Sequence, residues 1–447
     1  MTQEIHGTVA DGFETVREEF AAFVATERAD YEGQLCAYVH GRRVVDLWAG
    51  PPGTDGDSLY GVFSSTKGAA HLVVALLVQD GTLELDRKVT YYWPEFASEG
   101  KGALTLRELL AHRAGLVGTD TGFTLDELAD DRAVAERLAD QRPFWRPGTV
   151  FGYHALVIGA LTGEIVRRAT GRSLRDVHEE RVRAPYGLDF FLGLPTAHEP
   201  RFRTVQPQLL TPEQEAARAA EPSSPHSLAA IAFNEHAAQP TVLESLPNER
   251  VIRAKGPASV GGVASARGLA GLYAAAISEV DDRAALLKPD TAAEFGQLHS
   301  VGYDVVTGTH RAYGLGFQAT ADAAYPFLGA GTIGHSGAAG SQAFADPRSG
   351  LAYGYTRRRF AFPGGAAPEN VRGRPRGSRR GAPVSRAPAR GGAQRRARWG
   401  SRHRHAPVGA YRARQRPVGD RTKGGARGVE STGPPTRHQP TPAQSGT

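Results

Sequence analysis

The first part of the chain combines a helical pattern with two strand patterns. In residues 11–28, apolar side chains recur at helical spacing and Glu and Arg lie opposite, which predicts an amphipathic helix. Residues 34–39 and 44–48 are short runs of apolar and aromatic residues on either side of His40-Gly41-Arg42. Two strand-like runs around such a short polar segment predict an antiparallel hairpin.

Longer apolar runs predict buried helices in the middle of the chain. Residues 69–78 are almost entirely apolar and end at Asp80-Gly81, a helix stop signal. Residues 156–168 form a second such run, and Gly171 follows it as a predicted C-terminal cap. Residues 261–277 predict a third helix.

The pattern returns to strands before residue 356. Residues 343–345 and 351–355 flank a polar turn and predict another hairpin. Strands at both ends with helices between them predict an α+β fold, in which helices flank an antiparallel sheet that both ends complete, with an inserted all-helical region. Residues 197–250 are polar and weakly patterned, and we expect them to cross the surface of the core.

Charge divides the chain into two regions. Residues 1–356 hold 31 basic and 44 acidic residues, whereas residues 357–447 hold 22 basic and 3 acidic ones. The second region is rich in Arg, Gly, Pro and Ser and has no hydrophobic periodicity, a composition typical of disorder. We therefore predict a folded domain at 1–356 and a disordered tail at 357–447.

Three interpretations of the tail stay open. Clustered cations are typical of arms that bind nucleic acids. However, Trp399 and Tyr411 are isolated aromatic residues and no Arg-Gly-Gly repeat develops, so nucleic acid is a disfavoured partner. A plain solvated tail has the same composition. The interpretation that we favour is an out-of-frame translation of a GC-rich gene.

Several classes of protein are disfavoured. Cys36 is the only cysteine, so no internal disulfide forms, which fits the reducing cytoplasm where we expect the protein. No apolar run approaches the roughly 20 residues that span a bilayer, and residues 1–12 lack the pattern of a secretory signal. His-Glu-x-x-His and Gly-x-Ser-x-Gly are absent, which disfavours a zinc hydrolase and an α/β-hydrolase. We expect no membrane partner, metal or cofactor.

Ser64-Ser65-Thr66-Lys67, at the start of the first apolar helix, is the strongest candidate for chemistry. On a helix, Lys67 lies one turn from Ser64 on the same face. A serine hydroxyl needs a base to act as a nucleophile at neutral pH, and a lysine serves when burial lowers its pKa. The pattern alone is weak, because Ser98-Glu99-Gly100-Lys101 also matches it. That copy has no apolar helix behind it and predicts a solvated turn.

Two further motifs support a functional interpretation of the Ser64-x-x-Lys67 pattern. Tyr153 stands near the start of a predicted buried helix, and His335-Ser336-Gly337 opens a run of small residues through which a backbone can approach a substrate. With Ser64-x-x-Lys67, Tyr153-His154-Ala155 and His335-Ser336-Gly337 resemble, in order and spacing, the three active-site motifs of the serine β-lactamase/penicillin-binding-protein superfamily. The resemblance is to its class C-like branch, which includes β-lactamase-fold carboxylesterases, and covers roughly residues 11–356.

The resemblance implies a role for each residue. Ser64 would be the acylated nucleophile, Lys67 its base, and Tyr153 the group that shares the proton and passes it to the leaving group. The backbone N–H groups of Ser64 and Ala338 would form the oxyanion hole. The remaining residues that the resemblance places along the substrate are His154, His335, Ser336 and Gly337.

Two departures from the family pattern favour an ester as the substrate. The second motif is usually Tyr-x-Asn, and Ala155 replaces the asparagine that binds a substrate amide. His335 replaces a lysine, which weakens the cation for the carboxylate of a β-lactam or peptide. We therefore expect a serine hydrolase that cleaves small esters, with a β-lactamase or D-amino-acid peptidase as the alternative. From a different class, the alternative is a catalytically silent binding protein, or a nucleic-acid binder that acts through the tail.

A third departure concerns the C-terminal side. The family closes with a helix on the sheet, and no helix is predicted after Tyr355. We expect one face of the sheet to lack part of its cover.

Overall fold

An antiparallel sheet of nine strands lies at the centre of the described part of this computed structural model, residues 3–220, 224–319, 325, 327–366 and 369–372. In chain order, the strands are β1 (His6–Val9), β2 (Gly33–Val39), β3 (Arg42–Ala49), β4 (Tyr60–Gly61), β5 (Phe190–Phe191), β6 (Val263–Ala264), β7 (Ser300–Tyr303), β8 (His310–Tyr313), β9 (Gln318–Ala319), β10 (Ile333–Ser336), β11 (Gln342–Asp346) and β12 (Leu351–Arg357). The nine-stranded sheet has the order β1-β3-β2-β12-β11-β10-β9-β8-β7, and β4-β6-β5 form a smaller sheet.

Most of the helices lie between β4 and β6 in the chain, which corresponds to the predicted helical insertion. In chain order, the helices are α1 (Glu14–Val24), α2 (Thr66–Gln79), α3 (Val89–Tyr92), α4 (Leu106–Leu110), α5 (Leu125–Leu128), α6 (Asp131–Asp140), α7 (Ile158–Thr170), α8 (Leu174–His178), α9 (Pro212–Ala220), α10 (Leu228–Ala232), α11 (Arg250–Lys255), α12 (Ala266–Ile277), α13 (Pro289–Gly296) and α14 (Glu369–Arg372). The predicted α+β class is confirmed.

Pairing of the N-terminal hairpin with the last strand closes the sheet. His40 and Gly41 both have positive φ, +48° and +77°, as the tight turns of antiparallel hairpins require. Strand β2 pairs with β3 on one side and with β12 on the other, where Cys36 lies opposite Gly354. Both ends of the predicted domain thus contribute to one sheet, as the sequence predicts.

Helices cover both faces of this sheet. On one face, α1 buries Val16, Phe20 and Phe23 against β2 and β3. On the other, α12 packs so closely on β12 that a Cβ atom at Gly354 would lie 2.5 Å from the backbone nitrogen of Ala270. Helix α2 lies deeper still, because 12 of its 14 residues are buried. The site described below therefore stands on the most enclosed helix.

The prediction that no helix follows Tyr355 is wrong. Helix α14 begins at Glu369, whose carboxylate accepts a hydrogen bond from the Tyr355 hydroxyl at 2.7 Å and pairs with Arg357 at 2.7 Å. The Tyr353 hydroxyl donates to Asn370 Oδ1 at 2.9 Å. Polar contacts rather than an apolar stripe hold this turn to the sheet, so hydrophobic periodicity gave no signal of it.

Most of the predicted tail, residues 373–447, lies outside the described residues, and its predicted disorder stays a prediction. Within the described residues, no helix combines the length and apolar character that crossing a membrane requires.

Candidate active site

A strained turn presents Ser64 at the start of α2. Phe63 adopts a φ of +48°, which is uncommon for a residue with a side chain, and opens the 3₁₀ turn Phe63–Ser65. Val62 N donates to Gly262 O at 3.0 Å, and Gly262 N donates to Thr66 Oγ1 at 2.9 Å. These two hydrogen bonds fix the turn from both sides and set the position of the Ser64 side chain.

Ser64, Lys67 and Tyr153 meet at one oxygen atom. Lys67 Nζ lies 3.0 Å from Ser64 Oγ, and the Tyr153 hydroxyl donates to the same oxygen at 2.7 Å. Lys67 Nζ also lies 5.0 Å from the centre of the Tyr153 ring. The structure thus brings together the three side chains that the sequence motifs single out.

The surroundings of Lys67 favour a neutral amine whose lone pair faces Ser64. The side chain is fully buried, and burial lowers its pKa well below the ordinary value. Nζ donates to Ala155 O at 2.6 Å and to Ser259 O at 2.9 Å. A neutral amine has two N–H bonds, and these two carbonyl groups use both. The lone pair that remains is then available to the Ser64 hydroxyl, as a general base requires.

The pKa of Tyr153 shifts in the opposite direction to that of Lys67. Burial raises the pKa of its hydroxyl, while the hydrogen bond to Ser64 and the charge of Arg311 oppose the rise. The phenol is therefore protonated at neutral pH. A neutral phenol in contact with a serine hydroxyl can pass a proton toward a leaving group and recover it from a base.

Asp304 was missed by the sequence analysis. Its buried carboxylate accepts hydrogen bonds from the backbone N–H groups of Tyr153 at 3.2 Å, Val306 at 2.9 Å and Thr307 at 2.9 Å. Its other oxygen accepts from the Tyr313 hydroxyl at 3.2 Å. The Tyr313 ring in turn stacks on Tyr153, with centres 6.2 Å apart. Asp304 therefore holds both the backbone of Tyr153 and the ring that packs on it.

Replacing Asp304 by alanine is expected to destabilise the fold and to displace Tyr153. Three buried donors and one half-buried donor would lose their acceptor, and each unsatisfied buried group costs about 1–3 kcal/mol. We expect the free energy of unfolding in urea to fall by about 3 kcal/mol or more. Asp11→Ala, at an exposed site, is the control and should change it by less than about 0.5 kcal/mol. Equal stability of Asp304→Ala and the wild type would contradict this account.

Serine hydroxyl groups hold strand β10 against the turn that carries Ser64. Ser65 Oγ donates to His335 O at 3.2 Å and lies 3.0 Å from Ser341 Oγ. Ser341 Oγ also lies 3.0 Å from Val62 O. The approach leaves no room at Gly337, because a Cβ atom there would lie 2.2 Å from Val62 O. Glycine in the third motif is therefore a steric requirement of this packing.

Replacing Gly337 by alanine is expected to push β10 away from Ser64. A displacement of about 1 Å near the reacting groups can cost roughly 100-fold in rate, so we expect kcat/KM for an ester to fall by that order. Gly102→Ala is the matched control, because the nearest atom to its added Cβ would be 3.8 Å away. Equal rates of ester hydrolysis by the two alanine variants would contradict a steric role for Gly337.

His335 is buried beside Tyr153 and is neutral. Its ring centre lies 6.0 Å from that of Tyr153, and its Nδ1 lies 2.8 Å from Ser336 O. Burial lowers the pKa of this imidazole well below its usual range. His335 therefore supplies no fixed positive charge at neutral pH.

His154 does not line the substrate side, contrary to the expectation from the second motif. It is fully buried, its Nε2 accepts from Leu116 N at 3.3 Å, and its Nδ1 donates to Gly152 O at 2.7 Å. A neutral imidazole has one donor and one acceptor, and both are used here. His154 instead holds the segment that carries Tyr153.

The prediction of a solvated turn at Ser98-Glu99-Gly100-Lys101 is wrong for its lysine. Lys101 is buried, and its Nζ donates to Ser98 Oγ at 3.3 Å and to Gln141 O at 2.8 Å. The contact between the Ser98 hydroxyl and the Lys101 amine resembles the contact between the Ser64 hydroxyl and the Lys67 amine. The Ser98 hydroxyl, however, donates to Ala139 O at 2.6 Å, and no tyrosine hydroxyl among the described residues bonds to it.

A cavity of about 840 Å³ opens over Ser64 and Tyr153. Gln208 and several residues between 229 and 244, all in the segment predicted to cross the surface, form much of its wall, and residues 360–365 form another part. Two residues of the third motif, Ser336 and Gly337, face it together with the adjacent Ala338. The full set of described lining residues is Ser64, Tyr153, Gln208, Ala229, Phe233, Glu235, Thr241, Val242, Leu243, Glu244, Val306, Thr307, Arg311, Tyr313, Gln318, Ser336, Gly337, Ala338, Phe360, Pro363, Gly364 and Gly365.

An antiparallel sheet with a helical insertion, and a Ser–Lys–Tyr cluster at the start of a buried helix, define a serine hydrolase of the β-lactamase/transpeptidase type. The chain belongs to the Beta-lactamase family, whose model matches residues 20–374. The resemblance seen in the sequence motifs is thereby confirmed.

Esterases are prominent among the relatives. Esterase/beta-lactamase LipL of Mycobacterium tuberculosis strain H37Rv is 29% identical over 385 residues, which cover 81% of this chain and 84% of that protein. The structure of EstA from Arthrobacter nitroguajacolicus Rue61a is 40% identical, with a TM-score of 0.75, over 83% of this chain and 96% of that one. A family VIII carboxylesterase is 30% identical, with a TM-score of 0.70, over 83% and 98% of the two chains.

Proposed function

We propose that the protein is a carboxylesterase that cleaves small esters through an acyl-enzyme on Ser64. The observation that carries the proposal is the contact of Ser64 Oγ with both Lys67 Nζ and the Tyr153 hydroxyl, at the base of a cavity. An acyl transfer needs a nucleophile, a base and a proton donor for the leaving group, and these three side chains are of those types.

In the proposed acylation step, Ser64 Oγ attacks the ester carbonyl carbon as its proton moves to the neutral Lys67 amine. The oxyanion of the tetrahedral intermediate faces the backbone N–H groups of Ser64 and Ala338. The proton then reaches the alcohol oxygen through Tyr153, and the bond between the carbonyl carbon and that oxygen breaks. In the deacylation step, water attacks the carbonyl carbon of the acyl-enzyme and gives its proton to Lys67. The bond between that carbon and Ser64 Oγ then breaks, which releases the acid, and the proton returns to Ser64 Oγ.

Two features support an ester rather than an amide. At Ala155, where the amide-directed members of the superfamily carry asparagine, only the backbone carbonyl contacts Lys67, so a side-chain amide for a substrate amide is missing. His335 is neutral and does not replace the motif's lysine as a cation. The names of EstA, LipL and the family VIII carboxylesterase point in the same direction.

A β-lactamase is the second candidate, because the name of LipL includes both activities. Measuring kcat/KM for 4-nitrophenyl butyrate and for nitrocefin, with Ser64→Ala protein as the background, distinguishes an esterase from a β-lactamase. We expect the ester to exceed nitrocefin by about 100-fold or more. Faster turnover of nitrocefin would contradict the assignment as an esterase and favour the β-lactamase.

We also propose a cytoplasmic location, because the one cysteine, Cys36, is a buried free thiol. Fractionation of the cells that express the protein tests this, and recovery of the protein outside the cytoplasm would contradict it.

A further inference from the structure

Arg311 is the one cation among the described residues that line the cavity over Ser64. It lies on β8, two positions before Tyr313, so both side chains project from the same face of the strand. Because the Tyr313 ring stacks on Tyr153, this face of β8 is the one nearest to the reacting groups. Arg311 is therefore placed to contact a substrate whose carbonyl carbon lies at Ser64.

The guanidinium of Arg311 is exposed and forms no hydrogen bond or ion pair with a described residue. The two buried arginines among the described residues are matched, Arg253 by Glu199 and Arg357 by Glu27 and Glu369. A guanidinium presents paired N–H donors that fit the two oxygens of a carboxylate. An unmatched arginine on a cavity wall therefore suits an anionic substrate group of that shape.

The carboxylates that line the cavity do not neutralise the charge of Arg311 near Ser64 and Tyr153. Glu235 and Glu244 also line the cavity, but Glu244 accepts a hydrogen bond from Gln208 N at 3.2 Å. The charges that shift the pKa of Tyr153 are those of Arg311 and Asp304, and neither glutamate is among them. The oxygens of Asp304 are already occupied by protein donors.

The rest of the lining indicates what else the substrate carries. Most of the larger apolar side chains come from residues 229–244 and 360–365: Phe233, Val242, Leu243, Phe360 and Pro363. Val306, between β7 and β8, adds one more. Polar residues lie in two parts of the lining: Thr307, Arg311, Gln318 and Ser336 come from the chain between β7 and β10, and Gln208, Glu235, Thr241 and Glu244 come from the segment that also supplies Phe233. We infer that the preferred substrates are esters with an apolar body and a free carboxylate, and that Arg311 binds this carboxylate. The inference rests on the proposed esterase function and names its substrate class.

The test compares matched anionic and neutral esters in the full-length protein. One pair has the carboxylate on the acyl side, 4-nitrophenyl hydrogen adipate against 4-nitrophenyl hexanoate. The other has it on the alcohol side, 3-carboxy-4-nitrophenyl butyrate against 4-nitrophenyl butyrate. For at least one pair, we expect Arg311→Gln to lower the ratio of kcat/KM for the anionic ester to kcat/KM for the neutral ester roughly tenfold. Arg311→Lys should lower this ratio by a smaller factor. Added salt should lower the wild-type ratio.

Arg42→Gln is the matched control, because Arg42 is exposed, lies outside the cavity and carries the same charge. It should leave the ratio unchanged for both pairs. The inference is overturned if Arg311→Gln changes neither ratio by more than twofold while it still hydrolyses the neutral esters. A wild-type protein that hydrolyses none of the four esters would overturn the proposed function, and this inference with it.

Discussion

Replacement of Ser64 by alanine is expected to reduce kcat for 4-nitrophenyl butyrate by roughly 10⁴-fold or more, the range seen when the nucleophile of a serine hydrolase is removed. We expect so large a loss because Lys67 Nζ and the Tyr153 hydroxyl both contact Ser64 Oγ, at 3.0 Å and 2.7 Å. Without that oxygen, neither group has a nucleophile to serve. The measurement is the initial rate of nitrophenolate release, and thermal unfolding confirms that the variant is folded.

The chain contains its own control for this experiment. Ser98 also stands three residues before a buried lysine and lies 3.3 Å from the Lys101 amine. Ser98→Ala should therefore keep the wild-type kcat within a factor of about two, because no tyrosine hydroxyl completes that pair among the described residues. If Ser64→Ala retained a tenth of the wild-type rate, Ser64 would not be the nucleophile.

Replacement of Lys67 by alanine is expected to have the second largest effect. A general base typically contributes 10²–10⁴-fold, so we expect kcat to fall by about 10³-fold at neutral pH. The smaller alanine also leaves the carbonyl groups of Ala155 and Ser259 without their donor, so the thermal stability of the variant should be measured alongside. A rate within tenfold of the wild type would exclude Lys67 as the base.

The pH dependence of kcat/KM identifies the general base more directly than the size of the rate loss in Lys67→Ala does. Burial lowers the pKa of Lys67, so the amine stays neutral at pH values at which an ordinary lysine is already protonated. Below this lowered pKa it becomes an ammonium without a lone pair, and kcat/KM should fall as the pH falls. Lys67→Ala should lose this acid limb, whereas Lys101→Ala should keep it. An unchanged acid limb in Lys67→Ala would assign the titration to another group.

Local signals explain what the sequence predicts correctly. Asp80 and Gly81 end the apolar run of α2, and Gly171 ends α7 with a φ of +72°. The contact of Lys67 with Ser64 follows from helical geometry, since residues three apart share one face. Each of these features depends on residues within a few positions of one another.

Contacts between distant segments explain what the sequence does not show. The hydrogen bond from Tyr153 N to Asp304 joins residues 151 positions apart, and nothing in the pattern around Asp304 announces it. His154 is adjacent to Tyr153, yet its ring turns inward to Leu116 N. Lys101 is buried through a hydrogen bond to Gln141 O, a partner that a local pattern does not reveal. In each case, tertiary packing decides the environment of the side chain.

The acyl-enzyme proposal is tested most directly by labelling the protein with a fluorophosphonate, weighing the intact adduct and mapping it by peptide sequencing. We predict a single adduct on Ser64, absent from Ser64→Ala, present in Ser98→Ala and formed much more slowly in Lys67→Ala. An adduct on any other residue, or no adduct in a protein that still hydrolyses esters, would contradict the proposal.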